Sequence, residues 1–109
     1  MYSYIKIFKA LGDETRLRII KMLEVKKMCV CEITSIIGSS TPTVSNHLKI
    51  LKEAGLVVQD RSEKYMNYSL VEDKKGFIND VLELISKIES PLSRSDRESA
   101  IRTDRNNIC

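Results

Sequence analysis

The hydrophobic period changes just past the middle of this chain, after Gly55. Upstream of it, apolar residues recur every three or four positions; downstream, "LVVQDRSEKYMNYSL" (residues 56–70) reads as two short strands around a charged turn. The helical spacing then returns once more. Nothing in the chain has the pattern of a parallel sheet, so the expected fold is mainly α with one small β-hairpin (α+β).

Glycines and capping residues divide the helical part. Residues 3–11 read as a short helix carrying Ile5, Phe8 and Leu11, ended by Gly12. Asp13 is placed to cap a second helix over 14–25, with Leu17, Ile20 and Leu23 or Met22 inward and the cations of "VKKM" near its negative end. A third helix, 31–37, turns Ile33, Ile36 and Ile37 inward and stops at Gly38. A fourth starts at Ser40 or Thr41, tolerates Pro42 in its first turn, buries Val44, Leu48 and Leu51, and runs to Ala54. The strands are expected at 56–60 and 65–70, and a last helix at 74–89. Phe77, Ile78, Val81, Leu82, Leu84, Ile85 and Ile88 cover more of that helix than one buried stripe needs, so it is expected to touch both its own domain and a partner helix. From Pro91 the chain turns polar. The expected division is a domain over 1–90 and a flexible tail over 91–109.

A chain of 109 residues suffices for one domain, and its 42% hydrophobic and 30% charged composition is that of an ordinary globular protein. So small a core gains from a dimer that shares apolar surface. The net charge of +3 is compatible with nucleic acid without demanding it. No run approaches the roughly 18 consecutive apolar residues of a membrane span, and the first residues lack a signal peptide's pattern. A cytoplasmic, reducing setting is expected. Three cysteines there read as thiols or metal ligands rather than a disulfide framework.

Helix, glycine turn, helix, then hairpin is the order of a winged helix-turn-helix, whose second helix enters the DNA major groove. With Val44, Leu48 and Leu51 inside, Thr41, Thr43, Ser45, Asn46, His47 and Lys49 are the candidate DNA-facing residues, joined by Arg61 and Lys64 at the hairpin tip. The competing reading is an ordinary solvated face. Cys29 and Cys31, one residue apart in "MCVCEI", are buried filler, a redox pair or two arms of a metal site. An enzyme is not expected: there is no C-x-x-C near a βαβ unit, no glycine-rich phosphate loop and no Ser/His/Asp constellation.

"FKALGDETRLRIIKML", "CVCEITSIIG", "TPTVSNHLKILKEAGLV" and "YMNYSL", together and in order over residues 5–88, resemble the ArsR/SmtB family of metal-responsive winged-helix repressors. The resemblance implies a homodimer built on the first and last helices. It also implies binding of double-stranded operator DNA through residues 41–54 and the wing, with release when an inducer binds. "CVCE" resembles the arsenic(III)/antimony(III) site of the ArsR branch, which implies Cys29 and Cys31 as ligands. Soft thiolates select thiophilic ions, and a helix N-terminus favours the thiolate. The chain departs from that branch at Thr34, where a third cysteine is commonly found, which leaves Cys109 as a candidate third ligand. It also departs at Glu63, where relatives often have glycine in the wing. The last helix has Asp80, Glu83 and Glu89 but no histidine, so the family's zinc site is not expected. The alternative is a thiol-based redox sensor, or a sensor of another soft metal, on the same fold.

Overall fold

Caps set where the helices begin. In the computed structural model, which describes residues 4–62, 64–72 and 76–105, helix α1 (Tyr4–Leu11) ends before Gly12 and α2 (Glu14–Leu23) begins at Asp13. The Asp13 carboxylate accepts the Arg16 backbone N–H at 3.0 Å, as the spacing predicts. That bond holds the Asp13 pKa below the ordinary carboxylate range. It outweighs the opposing effect of partial burial, and the Arg16 charge adds to it. Helix α3 (Val30–Ile37) ends at Gly38, whose φ of 84° is the left-handed cap that glycine adopts without strain. Ser40 caps α4 (Thr41–Glu53) by accepting the Thr43 N–H. Val44, Leu48 and Leu51 of α4 are fully buried, as expected.

The sheet has one strand more than the sequence reading expects. β2 (Val57–Ser62) and β3 (Tyr65–Leu70) form the hairpin, in register from Val57 opposite Leu70 to Ser62 opposite Tyr65. A two-residue strand β1 (Met28–Cys29) pairs antiparallel with the other edge of β3, giving the order β1-β3-β2. Glu63, the turn residue singled out in the sequence, lies outside the described residues. α5 (Phe77–Ser86) is shorter than the expected 74–89, and residues 73–75 also lie outside the described set. Lys21, itself buried, donates from Nζ to the carbonyls of Ile85 and Ser86, both at 3.2 Å. It thus places a cation at the negative end of α5.

The expectation of a flexible tail from residue 91 is corrected by helix α6 (Pro91–Arg102), which packs on α2 and α3. Ser90 accepts the Ser93 N–H at 3.0 Å while Ser93 Oγ accepts the Ser90 N–H at 2.9 Å, and Pro91 stands in the first turn. An ion pair anchors the helix: Arg18 donates from Nε and Nη2 to the two oxygens of buried Asp96 at 2.9 and 3.0 Å. Ala100, one helical turn on, is fully buried. The folded unit therefore extends past residue 90.

Candidate DNA interface and thiol site

The α4 face opposite Val44, Leu48 and Leu51 carries most of the predicted DNA-facing residues. Thr41, Thr43, Asn46 and Lys49 are exposed and Ser45 is half-buried. The Thr43 hydroxyl lies 2.9 Å from Ser40 Oγ, which draws it into the cap at the positive end of the helix. His47 is placed differently. It is half-buried, with Nδ1 3.2 Å from Arg16 Nη1. A guanidinium has no acceptor, so Nδ1 is the acceptor in this contact. Arg16 also donates from Nε to the Ala10 carbonyl at 2.7 Å and from Nη2 to the Lys9 carbonyl at 3.2 Å. One side chain thus joins the end of α1, the start of α2 and the middle of α4.

The wing is tied to the same helix. Lys52 of α4 donates to Gln59 Oε1 of β2 at 2.8 Å. Arg61 and Lys64 are exposed at the tip, as expected, and Lys64 Nζ lies 5.5 Å from the centre of the Tyr65 ring.

Cys29 and Cys31 flank the start of α3. Cys29 is the last residue of β1 and also the N-cap of α3. It is buried and keeps its thiol. Cys31, in the first turn, is exposed and is disulfide-bonded in this structure. Cys109 lies outside the described residues. Thr34, one turn past Cys31, has its hydroxyl oxygen buried with no hydrogen-bond partner among the described residues. Across the sheet, Cys29 stands opposite Asn67 of β3, and Asn67 stands opposite Asp60 of β2. Directly opposed residues share a sheet face, so one row of side chains runs from the buried thiol to the wing. Asn67 is buried, and its Oδ1 also lacks a partner among the described residues.

Two residues that the sequence reading passed over complete this site. Glu32, at 1% exposure, accepts the Cys29 backbone N–H at 3.0 Å and an Arg105 N–H at 3.0 Å. Lys26 Nζ lies 3.8 Å from its other oxygen. The signal available for Glu32 was its position three residues after the cap, where a carboxylate reaches back to the cap N–H. Arg105 gave no local signal. Among the described residues no three His, Cys, Asp or Glu side chains gather closely enough to hold a metal ion. No helix among the described residues is long and apolar enough to cross a membrane.

Comparison with known proteins agrees with this architecture. The family "Bacterial regulatory protein, arsR family" matches residues 13–58, from the α2 cap to the start of β2. The HTH-type transcriptional regulator MJ1325 of Methanocaldococcus jannaschii is 39% identical over 84 residues, covering 76% of this chain and 91% of that one. The Staphylococcus aureus cadmium resistance regulatory protein CadC homolog is 42% identical over 69 residues. The Escherichia coli arsenical resistance operon repressor is 40% identical over 67. The matches cover 62% and 61% of this chain, but only 57% of either relative. Among solved structures, the homodimeric winged helix-turn-helix domain of Mb0332 from Mycobacterium bovis superposes with a TM-score of 0.67 at 26% identity, over 75% of this chain and 73% of that one. On this sequence match and this shared fold, the chain belongs to the ArsR family of helix-turn-helix transcriptional regulators.

Proposed function

We propose that this protein is a homodimeric transcriptional repressor that binds operator DNA through α4 and the wing and releases it when a thiophilic metalloid, arsenic(III) or antimony(III), reaches Cys29 and Cys31. The observation that carries this reading is the double position of Cys29. It ends the strand that pairs with the wing and caps the helix that packs on α4. Both DNA-contacting elements therefore meet at one thiol-bearing residue.

The donor set fits a soft ion. Once Cys31 is reduced, two cysteine sulfurs stand at a helix start, and Thr34 supplies only a hydroxyl at the third position. Cys31 lies in the first turn of α3, whereas Cys29 is its extended N-cap, so the opposition of residues two apart, about 200° in a regular helix, does not hold the two sulfurs apart. Cys29 is buried and Cys31 exposed, so bringing both sulfurs to one centre moves one or both of them and acts on the start of α3. Such a change alters the support of α4 and the β1–β3 pairing together. The relatives named for cadmium and for arsenical resistance support an ion-responsive regulator of this kind.

Dimerisation is supported by an apolar face that the single chain leaves open. Tyr4, Ile5 and Phe8 of α1 are exposed together with Phe77 and Leu84 of α5 and Ile88 just beyond it. Phe77 packs edge-on to Tyr4 at 4.7 Å and to Phe8 at 6.1 Å, which makes α1 and α5 one continuous surface. A second reading, a thiol redox sensor of the same fold, is favoured by the disulfide at Cys31.

Fluorescence anisotropy of labelled DNA from upstream of the protein's own gene separates the two. Reduced protein is expected to bind and then to leave on addition of arsenite at fixed salt. Release by a thiol oxidant but not by arsenite would replace the metalloid reading with the redox one.

A further inference from the structure

Glu32 is a carboxylate buried at the start of α3, and such a group persists only where cations and hydrogen bonds replace its water. Here the cations come from two distant parts of the chain. Lys26, from the loop after α2, lies 3.8 Å from one oxygen while donating to the Thr103 carbonyl at 2.8 Å, which fixes the end of α6. Arg105, just past that end, donates to the other oxygen at 3.0 Å. The same guanidinium stands over the Tyr65 ring, 4.7 Å from its centre. Tyr65 opens β3 at the wing tip, opposite Ser62, and its ring also holds Lys64. Glu32 in turn accepts the N–H of Cys29. An unbroken series of contacts therefore runs from Cys29 through Glu32, Arg105 and Tyr65 to Lys64.

We propose that Arg105 is a positioning residue that latches the wing to the first turn of α3, so that wing order and operator affinity depend on the Glu32–Arg105–Tyr65 contact. The latch deepens the repressor reading and rests on it for its link to the inducer. A change at Cys29 or Cys31 that distorts the first turn shifts Glu32, and Arg105 then loses one of the two groups that it joins. Tyr65 and Lys64 lose their fixed support as a result. α6 thereby has a role: it carries Arg105 back across the domain to the sensing helix.

The test compares full-length reduced wild type, Arg105→Ala and Arg105→Lys by amide hydrogen exchange and by operator anisotropy at two salt concentrations. In Arg105→Ala the amides of residues 57–62 and 65–70 are expected to exchange roughly threefold to tenfold faster, with those of residues 19–22 unchanged. Operator affinity should fall severalfold, and its logarithmic salt slope by about one as the Lys64 phosphate contact is lost. Arg105→Lys keeps the charge at Glu32 but not the flat guanidinium over the ring, so it should fall between the two. Wing amides that exchange as in wild type overturn the proposal. So does equal acceleration of the wing and of residues 19–22, which marks general destabilisation. A loosened wing in Arg105→Ala, alongside a wild type that holds its operator in arsenite, leaves the latch standing and removes the metalloid.

Discussion

Arg16 shows how much of the DNA-binding geometry rests on single side chains. It bonds the carbonyls of Lys9 and Ala10 and the ring of His47, and so sets α4 against α1 and α2. His47→Ala should accordingly cost about 1 kcal/mol of stability, read by urea unfolding, while leaving the salt slope of operator binding unchanged. Asn46→Ala should do the reverse, weakening specific binding by about 1–3 kcal/mol if Asn46 pairs with a base edge, with stability unchanged. Sequence spacing separated Val44, Leu48 and Leu51 from Thr43, Asn46 and Lys49 correctly, because helical periodicity decides which residues are buried. It could not show that His47 also contacts Arg16, because that partner lies 31 residues away. Asp13 was legible from its position, and its depressed pKa fixes the sign of a pH effect. The folded chain binds this proton less tightly than the unfolded one. Its contribution is thus present at neutral pH and lost as the pH falls below about 4. Asp13→Ala should remove about 1 kcal/mol at pH 7, and its deficit against wild type should shrink in acid unfolding below that pH.

Elements held by periodic apolar residues were readable, and those held by other means were not. α4 carries three buried apolar residues at helical spacing, and its predicted course matches its observed one. α6 buries only Asp96 and Ala100, so it has no apolar stripe to read. What remained was the Ser-Pro start at residues 90 and 91, the same kind of signal that located α4. Its anchor is Arg18, 78 residues from Asp96 in sequence. The Arg18 pKa is raised further by the hydrogen bond to Asp96, as expected for a charge-assisted pair. The pair is asymmetric, with Asp96 buried and Arg18 partly exposed. Arg18→Ala, which strands a buried carboxylate, should cost about 3 kcal/mol. Asp96→Ala leaves a guanidinium that still reaches water and should cost about 1–2 kcal/mol. Thermal unfolding of both variants checks the order, and equal costs would argue against α6 packing as described. β1 escaped notice for a different reason. Two residues are too few to show a strand period, and only the pairing with β3 defines them.

For the whole molecule, the open apolar face of α1 and α5 and the Cys29 junction give the central account: a dimer that presents two α4 helices and two wings, and loses that arrangement when its thiols are engaged. A charge at Leu84, 67% exposed in the single chain, should convert the dimer to monomer without unfolding it. Sedimentation velocity of Leu84→Glu is expected to show a monomer whose operator affinity falls sharply, since two half-sites then bind independently. This face was legible because α5 carries more apolar residues than one chain buries. The contacts that join the start of α3 to the wing were not, because they depend on strand pairing and on Arg105, both set by long-range contacts. The measurement that tests the central claim most directly is operator affinity of the Cys29→Ser, Cys31→Ser double variant, with and without arsenite, against wild type. The account predicts wild-type binding that arsenite no longer releases. Loss of binding before arsenite is added, or release that persists without either cysteine, would contradict it.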